Sequence, residues 1–526
     1  MPAFPQVIDA SYQLENSQAA IQRTVNWFLA ENEAQNSEGK YKFCALPFPG
    51  NSPFCTLPVP APFNQPSRGL LELRGVAYGV NGNQVFSIDS TGAFTAIGTV
   101  ANDGNPASMV ANGNGQIFIA SGGLGYVIPN GGGAGSLIPI TTAEFLGASY
   151  STFQDGYILN VVPGSNQFQI SGTDDTPVGD ATLWSAGNVS VQAGQADYLK
   201  AIISSREYVR LLGGRRSQVY QDVGNNGIGG FPFQSYNETF IETGIAAPFS
   251  LTDLGDSLIW IGEDARGVRA CWRDAAFQPQ RVSNYGVERW WQSYTTVADA
   301  LAFPFIWHGH LFYQVTFPSA GGPNSPATWV YDATASALAG RPIWIERSYL
   351  VNGGLQGPTA IAPGRAEVSH CFAYGKHLVG SSGQDGNPGA IYQMGDGIYT
   401  DCGADPITGD QITQPIICDR ITPHGPTWGK RSVHNRIEFE VARGVGNSVD
   451  PGSDPQLLLR WSNDGGKTFG TEYALSMGMQ GQYSIRVYLL QLGYANHPGR
   501  VYWIRCADPV FNSLMNCTLD YFDCAS

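Results

Sequence analysis

Ser462, Asp464, Gly466, Thr468 and Phe469 are the residues whose types and spacing come nearest to a chemical motif. They lie in the run SNDGGKTF and reproduce the Asp-box pattern S-x-D-x-G-x-T followed by an aromatic residue. The physics of that pattern is structural: the aspartate accepts hydrogen bonds from turn amides, the glycine takes φ > 0, and the aromatic ring packs beneath the hairpin. Glycoside hydrolysis, one chemistry found on folds that carry such turns, needs two carboxylates flanking the scissile bond. Carboxylates are plentiful in this chain but unpatterned. Gly466-Lys467-Thr468 also match the end of a phosphate-binding loop, yet Trp461 stands where the cradle needs its first glycine. His308 and His310, at i and i+2, share one face of an expected strand and could in principle share a metal. No third ligand accompanies them, and the flanking Trp307, Leu311, Phe312 and Tyr313 read as a packed strand. Arg215 and Arg216 form the most basic local point and read as a salt-bridged turn. No catalytic residue, metal ligand or cofactor site is therefore expected.

The elements that must position these residues follow from composition. Gly occurs 65 times and Pro 33 times, and only 14% of residues are charged, against a typical value of about 25%. Many turn formers with few charges imply many short strands, and 43% apolar residues are too many for disorder. The 29 basic and 43 acidic residues give a net charge of −14 with no basic segment, which excludes tight binding through phosphate neutralisation. The nine cysteines include no C-x-x-C pair, so neither zinc-ribbon nor redox spacing is present. The N-terminus lacks a basic region followed by an apolar one, and no run of about 18 apolar residues occurs. Synthesis in a cytoplasm and no membrane span are expected.

Residues 1–65 read as an arm and Pro-rich linker outside any core, with a short helix around Ser17 to Glu31. From Arg68 onward a Gly-containing turn repeatedly launches an apolar run, at Gly82, Gly113, Gly156, Arg206, Gly255, Gly309 and Gly375. The spacings bracket the roughly 40 to 50 residues of a propeller blade. Radial repetition hides strand edges, which so many short strands would otherwise expose. Residues 66–428 are thus expected to form a β-propeller body, with a pair of β-sandwiches as the alternative. Residues 429–526 read as five strands in period two, a last blade or a small β-domain. The fold class is all-β: a propeller with an extended N-terminal arm and a C-terminal antiparallel β region.

The repeated strings, taken in order, resemble the packaged-DNA stabilisation family of short-tailed phages, the tail hub or nozzle proteins. TVNWFLAEN and GKYKFCALPFPG carry the family's first segments through Asn26, Trp27, Glu31, Leu46 and Gly50. GGRRSQVYQDVG, FPFQSYNETFIETGIAAPFS, DALAFPFIWHGHLFYQVTFP, AIYQMGDGIYTDCG, RWSNDGGKTFG and RVYWIRCADPV follow along almost the whole chain. Phe469 stands where the family often has Trp, residues 320–326 and 383–388 look inserted, and AEVSHCF before Ala373 is atypical. The resemblance implies a virion tail protein, made in the host bacterial cytoplasm, that assembles with copies of itself as a sixfold ring beneath the portal and its adaptor ring. It implies a platform for a tail needle or plug and for spikes or fibres, with packaged DNA passing through the lumen unbound. Residues 1–65 would dock on a neighbouring subunit or the adaptor, and deleting them would leave a folded monomer. Acidic lumen loops would repel the DNA and ease its passage. The rival classes are an Asp-box glycosidase acting on a surface polysaccharide and a generic propeller binding module.

Overall fold

The computed structural model describes residues 7–31, 43–56, 59–173, 181–192, 197–224, 230–263, 267–323, 325–349, 355, 357–405, 408–425, 431–497 and 499–524. Four-stranded antiparallel sheets succeed one another over residues 67–99, 108–139, 151–191, 199–241 and 252–281, and four antiparallel strands over residues 301–347 repeat the pattern as one end of a ten-stranded sheet. A seventh, over residues 367–394, takes its fourth strand from Asn51–Pro53, which pairs with Ile391–Met394. The first strands of these units line a ring that closes where Glu367–Ala373 lies against Ser67–Leu73. At that closure the hydroxyls of Ser67 and Ser369 are 2.8 Å apart. The result is a seven-bladed propeller. Each blade buries its apolar face on the next, as where Leu159, Val161 and Phe168 of the third blade meet Ile202, Val209 and Leu211 of the fourth.

Local turn chemistry explains the repetition. Arg74-Gly75, Asp155-Gly156, His308-Gly309 and Tyr374-Gly375 each have two consecutive positive φ angles and join strands in two-residue loops. That geometry matches the right-handed twist of hairpins, and glycine at the second position removes its cost. Six of the seven recurring elements mark this first hairpin of a blade. Gly82 instead marks the second turn of the first blade, between Val76–Asn81 and Gln84–Ile88.

The C-terminal region is a β-sandwich. One sheet holds Cys418–Ile421, Val501–Cys506, Gln456–Ser462 and Tyr473–Ser476, and the other holds Ser432–Val441, Val487–Ala495 and Leu514–Asp523. Leu457, Leu459 and Ile504 face Ile437, Phe439 and Leu519 in one core. Cys418–Ile421 lay inside the expected propeller body, so the sandwich starts earlier than residue 429. Among the described residues two short α-helices complete the fold, α1 (Tyr285–Ser293), capped by Asn284, and α2 (Ala333–Ala339), capped by Asp332 and ended by Gly340 at φ 65. Among the described residues no helix is long and apolar enough to cross a membrane.

The expectation for residues 1–65 needs correction. The segment expected as a helix is two strands, Ile21–Val25 and Trp27–Glu31, separated by Asn26 at φ 60. Its β-branched Ile21, Thr24 and Val25 favour extended backbone, and partners exist for both strands. Ile21–Val25 lies between the sixth blade and the sandwich, pairing Val25 with Glu346 in parallel and with Asp419 in antiparallel sense. Trp27–Glu31 and Phe43–Pro47 join the second sandwich sheet. These residues are core and not an arm: Trp27, Phe28 and Leu29 are buried to 1% exposure or less.

Candidate functional site: the Asp-box turn and the N-terminal seam

The Asp-box sits on the sandwich, in the hairpin that leaves Gln456–Ser462, and not on a propeller blade. Ser462 Oγ donates to Asp464 Oδ1 at 2.6 Å and accepts from the Gly466 amide at 2.8 Å. Asp464 Oδ1 also accepts from the Lys467 and Thr468 amides, and Oδ2 accepts from Thr468 Oγ1 at 2.6 Å. Partial burial would raise this carboxyl, but the donors from Ser462, Thr468 and Lys467 outweigh it and hold the group at about 2. A carboxylate so saturated has no lone pair for acid–base work. The Gly466 amide is spent on Ser462 and those of Lys467 and Thr468 on Asp464, so Gly466-Lys467-Thr468 form no phosphate cradle. Phe469 packs edge-on to Trp503 at 5.1 Å, with Ile21 and Val25 in the same cluster.

Gly466 is required twice over. Its φ is +85°, and an added Cβ would stand 2.1 Å from Ile21 Cδ1, a fully buried atom group of the N-terminal strand. Gly466→Ala should therefore destabilise the sandwich by about 2–3 kcal/mol through strain and overpacking. A urea midpoint unchanged from the parent would show that the turn does not press on that strand.

The other candidate residues are brought to separate places. His308 Nε2 pairs with Asp396 at 2.7 Å at the surface, while His310 Nδ1 pairs with buried Asp332 at 2.7 Å. They share no ligand, and among the described residues no group of three or more His, Cys, Asp or Glu could hold a metal ion. Arg216 pairs with Glu242 in an exposed contact, and the Arg215 amide donates to Asp197. All nine cysteines are free thiols, seven of them buried.

Two histidines carry a pH dependence. Burial, with His377 beside it, pushes His370 down to about 3, and burial with Arg500 pushes His434 down to about 4. Between these values and 6.5 the unfolded chain binds protons that the folded chain refuses. Stability is thus complete above pH 6.5 and falls as pH drops, by about 1.4 kcal/mol per unit for each histidine. His370→Asn combined with His434→Asn should flatten thermal-melt profiles between pH 6.5 and 4. An unaltered slope would assign the acid sensitivity elsewhere.

Sequence reasoning missed the seam that fastens the N-terminal strands. Arg23 lies between the sixth blade and the sandwich, with Nε donating to Glu346 Oε1 at 2.9 Å, Nη2 paired with Oε2, and Nη1 donating to the Ala360 carbonyl at 2.7 Å. Arg420 donates to the carbonyls of Val7 and Asp9 and to Thr24 Oγ1. Asn26 binds Ser348 and Ile417 through its amide while its backbone turns left-handed. Its only sequence signal was the Asn-aromatic string of residues 26–27.

A propeller and a sandwich that share strands with one N-terminal segment define the class: an all-β scaffold whose sharpest motif is consumed in a hairpin turn. Residues 63–393 match the family model described as bacteriophage P22 Gp10, beta-propeller, and residues 418–521 match that described as bacteriophage P22 Gp10, beta-sandwich. The chain belongs to this family, and the resemblance to packaged-DNA stabilisation and tail-hub proteins is borne out: it is a phage structural protein. No curated protein matches the sequence. Among solved structures it is similar to the Neurospora crassa Pan2 WD40 domain, at 10% identity and TM-score 0.39, over 66% of this chain and 94% of that one. It is also similar to virginiamycin B lyase from Staphylococcus aureus, at 8% identity and TM-score 0.38, over 63% of this chain and 95% of that one.

Proposed function

We propose that this chain is the tail hub of a short-tailed phage, assembling with copies of itself as a sixfold ring beneath the portal and adaptor. The ring extends and closes the DNA channel, retains the packaged genome and supports its ejection. The observation that carries this reading is the consecutive match of both domains to one phage family, propeller then sandwich. A rigid propeller with a sandwich fused through common strands suits a ring subunit, because heterologous contacts close by rotation only between bodies of fixed shape. A net charge of −14 supports passage of DNA without adhesion. A tail needle or plug and spikes or fibres are the expected further partners, and the protein functions without cofactor or catalysis.

Negative-stain imaging of the purified chain mixed with portal and adaptor rings tests this. Sixfold density added beneath the adaptor is the expected result. A monomer that never joins the rings would return the choice to a propeller binding module or an Asp-box glycosidase, which turnover of host polysaccharide would separate.

A further inference from the structure

Two adjoining cavities, of about 210 and 480 Å³, open on the propeller face made by the first-to-second and third-to-fourth strand turns of blades four to six. Ala275 and Ala276 form the crest between them. Five arginines line the two cavities. Arg206 and Arg210 line the smaller cavity with Asp256 and Asp274, whose carboxylates pair with Arg273 and Arg210, and Arg273, Arg281 and Arg341 are the charged residues lining the larger.

Three observations mark the place as built for an anionic group. First, Arg210 is 5% exposed and pairs with Asp274 through Nη2, yet its buried Nη1 has no hydrogen-bond partner. An unsatisfied buried donor of this kind costs about 1–3 kcal/mol unless something fills it. Second, Phe277 holds φ +62°, a conformation bulky residues avoid. That backbone sets its ring 5.0 Å from the Arg210 guanidinium and 5.1 Å from Tyr208, so it walls the cavity. Third, the arginines of the larger cavity are braced by acids: Arg273 by Asp256, Arg281 by Glu288, and Arg341 by Asp9. Arg206, exposed, donates to the carbonyls of Asp256 and Ala275 and has no carboxylate partner among the described residues.

We propose that the paired cavities are a docking cleft for an extended acidic peptide segment of a partner chain, one carboxylate entering each cavity and an apolar residue crossing the alanine crest. Arginine forks match carboxylates in bidentate geometry. The aromatic wall and apolar crest suit a peptide with apolar residues between its acids better than an evenly charged phosphodiester. The chain's net charge of −14 disfavours a long polyanion while the cleft admits a short segment. This inference is independent of ring assembly, since it requires only the purified chain.

The test is fluorescence anisotropy of a labelled peptide alternating Glu with apolar residues, titrated with the full chain at low salt. Saturable binding that weakens as salt rises is expected. Arg206→Gln with Arg341→Gln should weaken it at least about tenfold, and Arg216→Gln, away from the cleft, should not. Phe277→Gly removes the wall while relieving the backbone, so it should weaken binding without lowering the melting temperature. Absence of binding, indifference to these cleft substitutions, or displacement of the peptide by inorganic phosphate or single-stranded DNA at comparable concentration would each overturn the proposal.

Discussion

A chain that begins at Ser67 is expected to be insoluble or unfolded, where the arm reading of residues 1–65 predicts a folded monomer that merely fails to assemble. Removing the first 66 residues strips thirteen buried hydrophobic side chains from Val7 to Phe63, among them Trp27, Phe28, Leu29, Phe43 and Phe48. Each large one contributes about 1.5–3 kcal/mol, and together they exceed the roughly 5–15 kcal/mol of net stability of an ordinary domain. The loss is compounded by charge. Glu346 would keep no Arg23, and the Arg420 guanidinium, 1% exposed, would lose the carbonyls that satisfy it. An uncompensated buried charge costs about 3–5 kcal/mol by itself. The seventh blade would also lack its fourth strand, leaving Ile391–Met394 as a bare edge. Circular dichroism, intrinsic fluorescence and size exclusion of the truncated chain decide the matter. A monodisperse product with the parent's strand signal would reinstate the arm.

The contrast shows which physics a sequence displays. Blade rhythm was legible because it is written locally: a glycine with positive φ, as at Gly156 or Gly309, beside an apolar run. Gly82 misled only because the first blade places the same turn signal at its second hairpin, while its first hairpin is Arg74-Gly75. The Asp-box was legible for the same reason, since every one of its bonds falls within residues 462–468. The role of Asn51–Pro53 was hidden. Proline-flanked residues read as a linker, and proline is tolerated in a strand only at an edge, the place this segment takes in the seventh blade. Val25 likewise finds its partners Glu346 and Asp419 far along the chain. No window of sequence contains both sides of such a pairing. The arginine-lined cleft was invisible for a related reason: its members come from three blades, so a chain without a basic segment still builds a basic site.

The same logic sets the second large effect, at the junction of the sixth and seventh blades. Arg365, between the sixth and seventh blades, grips Glu367 through Nε and Nη2 at 3.0 and 2.6 Å, and Asp401 through Nη1 and Nη2, both at 2.7 Å. Arg347 adds a second cation, donating to Gln314 Oε1 and to the Pro49 carbonyl at 2.7 and 2.9 Å, with Glu367 3.5 Å away. Asn51, from the N-terminal strand, ties in through the Cys402 amide. Burial alone would raise the Glu367 carboxyl, but Arg365 and Arg347 overcome it and hold the group at about 2. Its folded value lies below the unfolded one, so this contribution is complete above about pH 4.5 and is lost as pH falls towards 2. Arg365→Met inverts the balance. Burial then acts on Glu367 with only Arg347 to oppose it, so its folded value rises and the folded state gains a proton. At pH 7.5 the variant should be about 3–5 kcal/mol less stable than the parent, the cost of a buried charge left without its partner. Its deficit should shrink as pH is lowered towards 5, because protonation removes the uncompensated charge. Arg365→Lys keeps the charge but not the fork, and should lose less, with little change in pH profile. Urea midpoints read by tryptophan fluorescence across this pH range separate the outcomes. A constant deficit at every pH would mean that Arg365 acts by packing alone and that this junction does not depend on its charge.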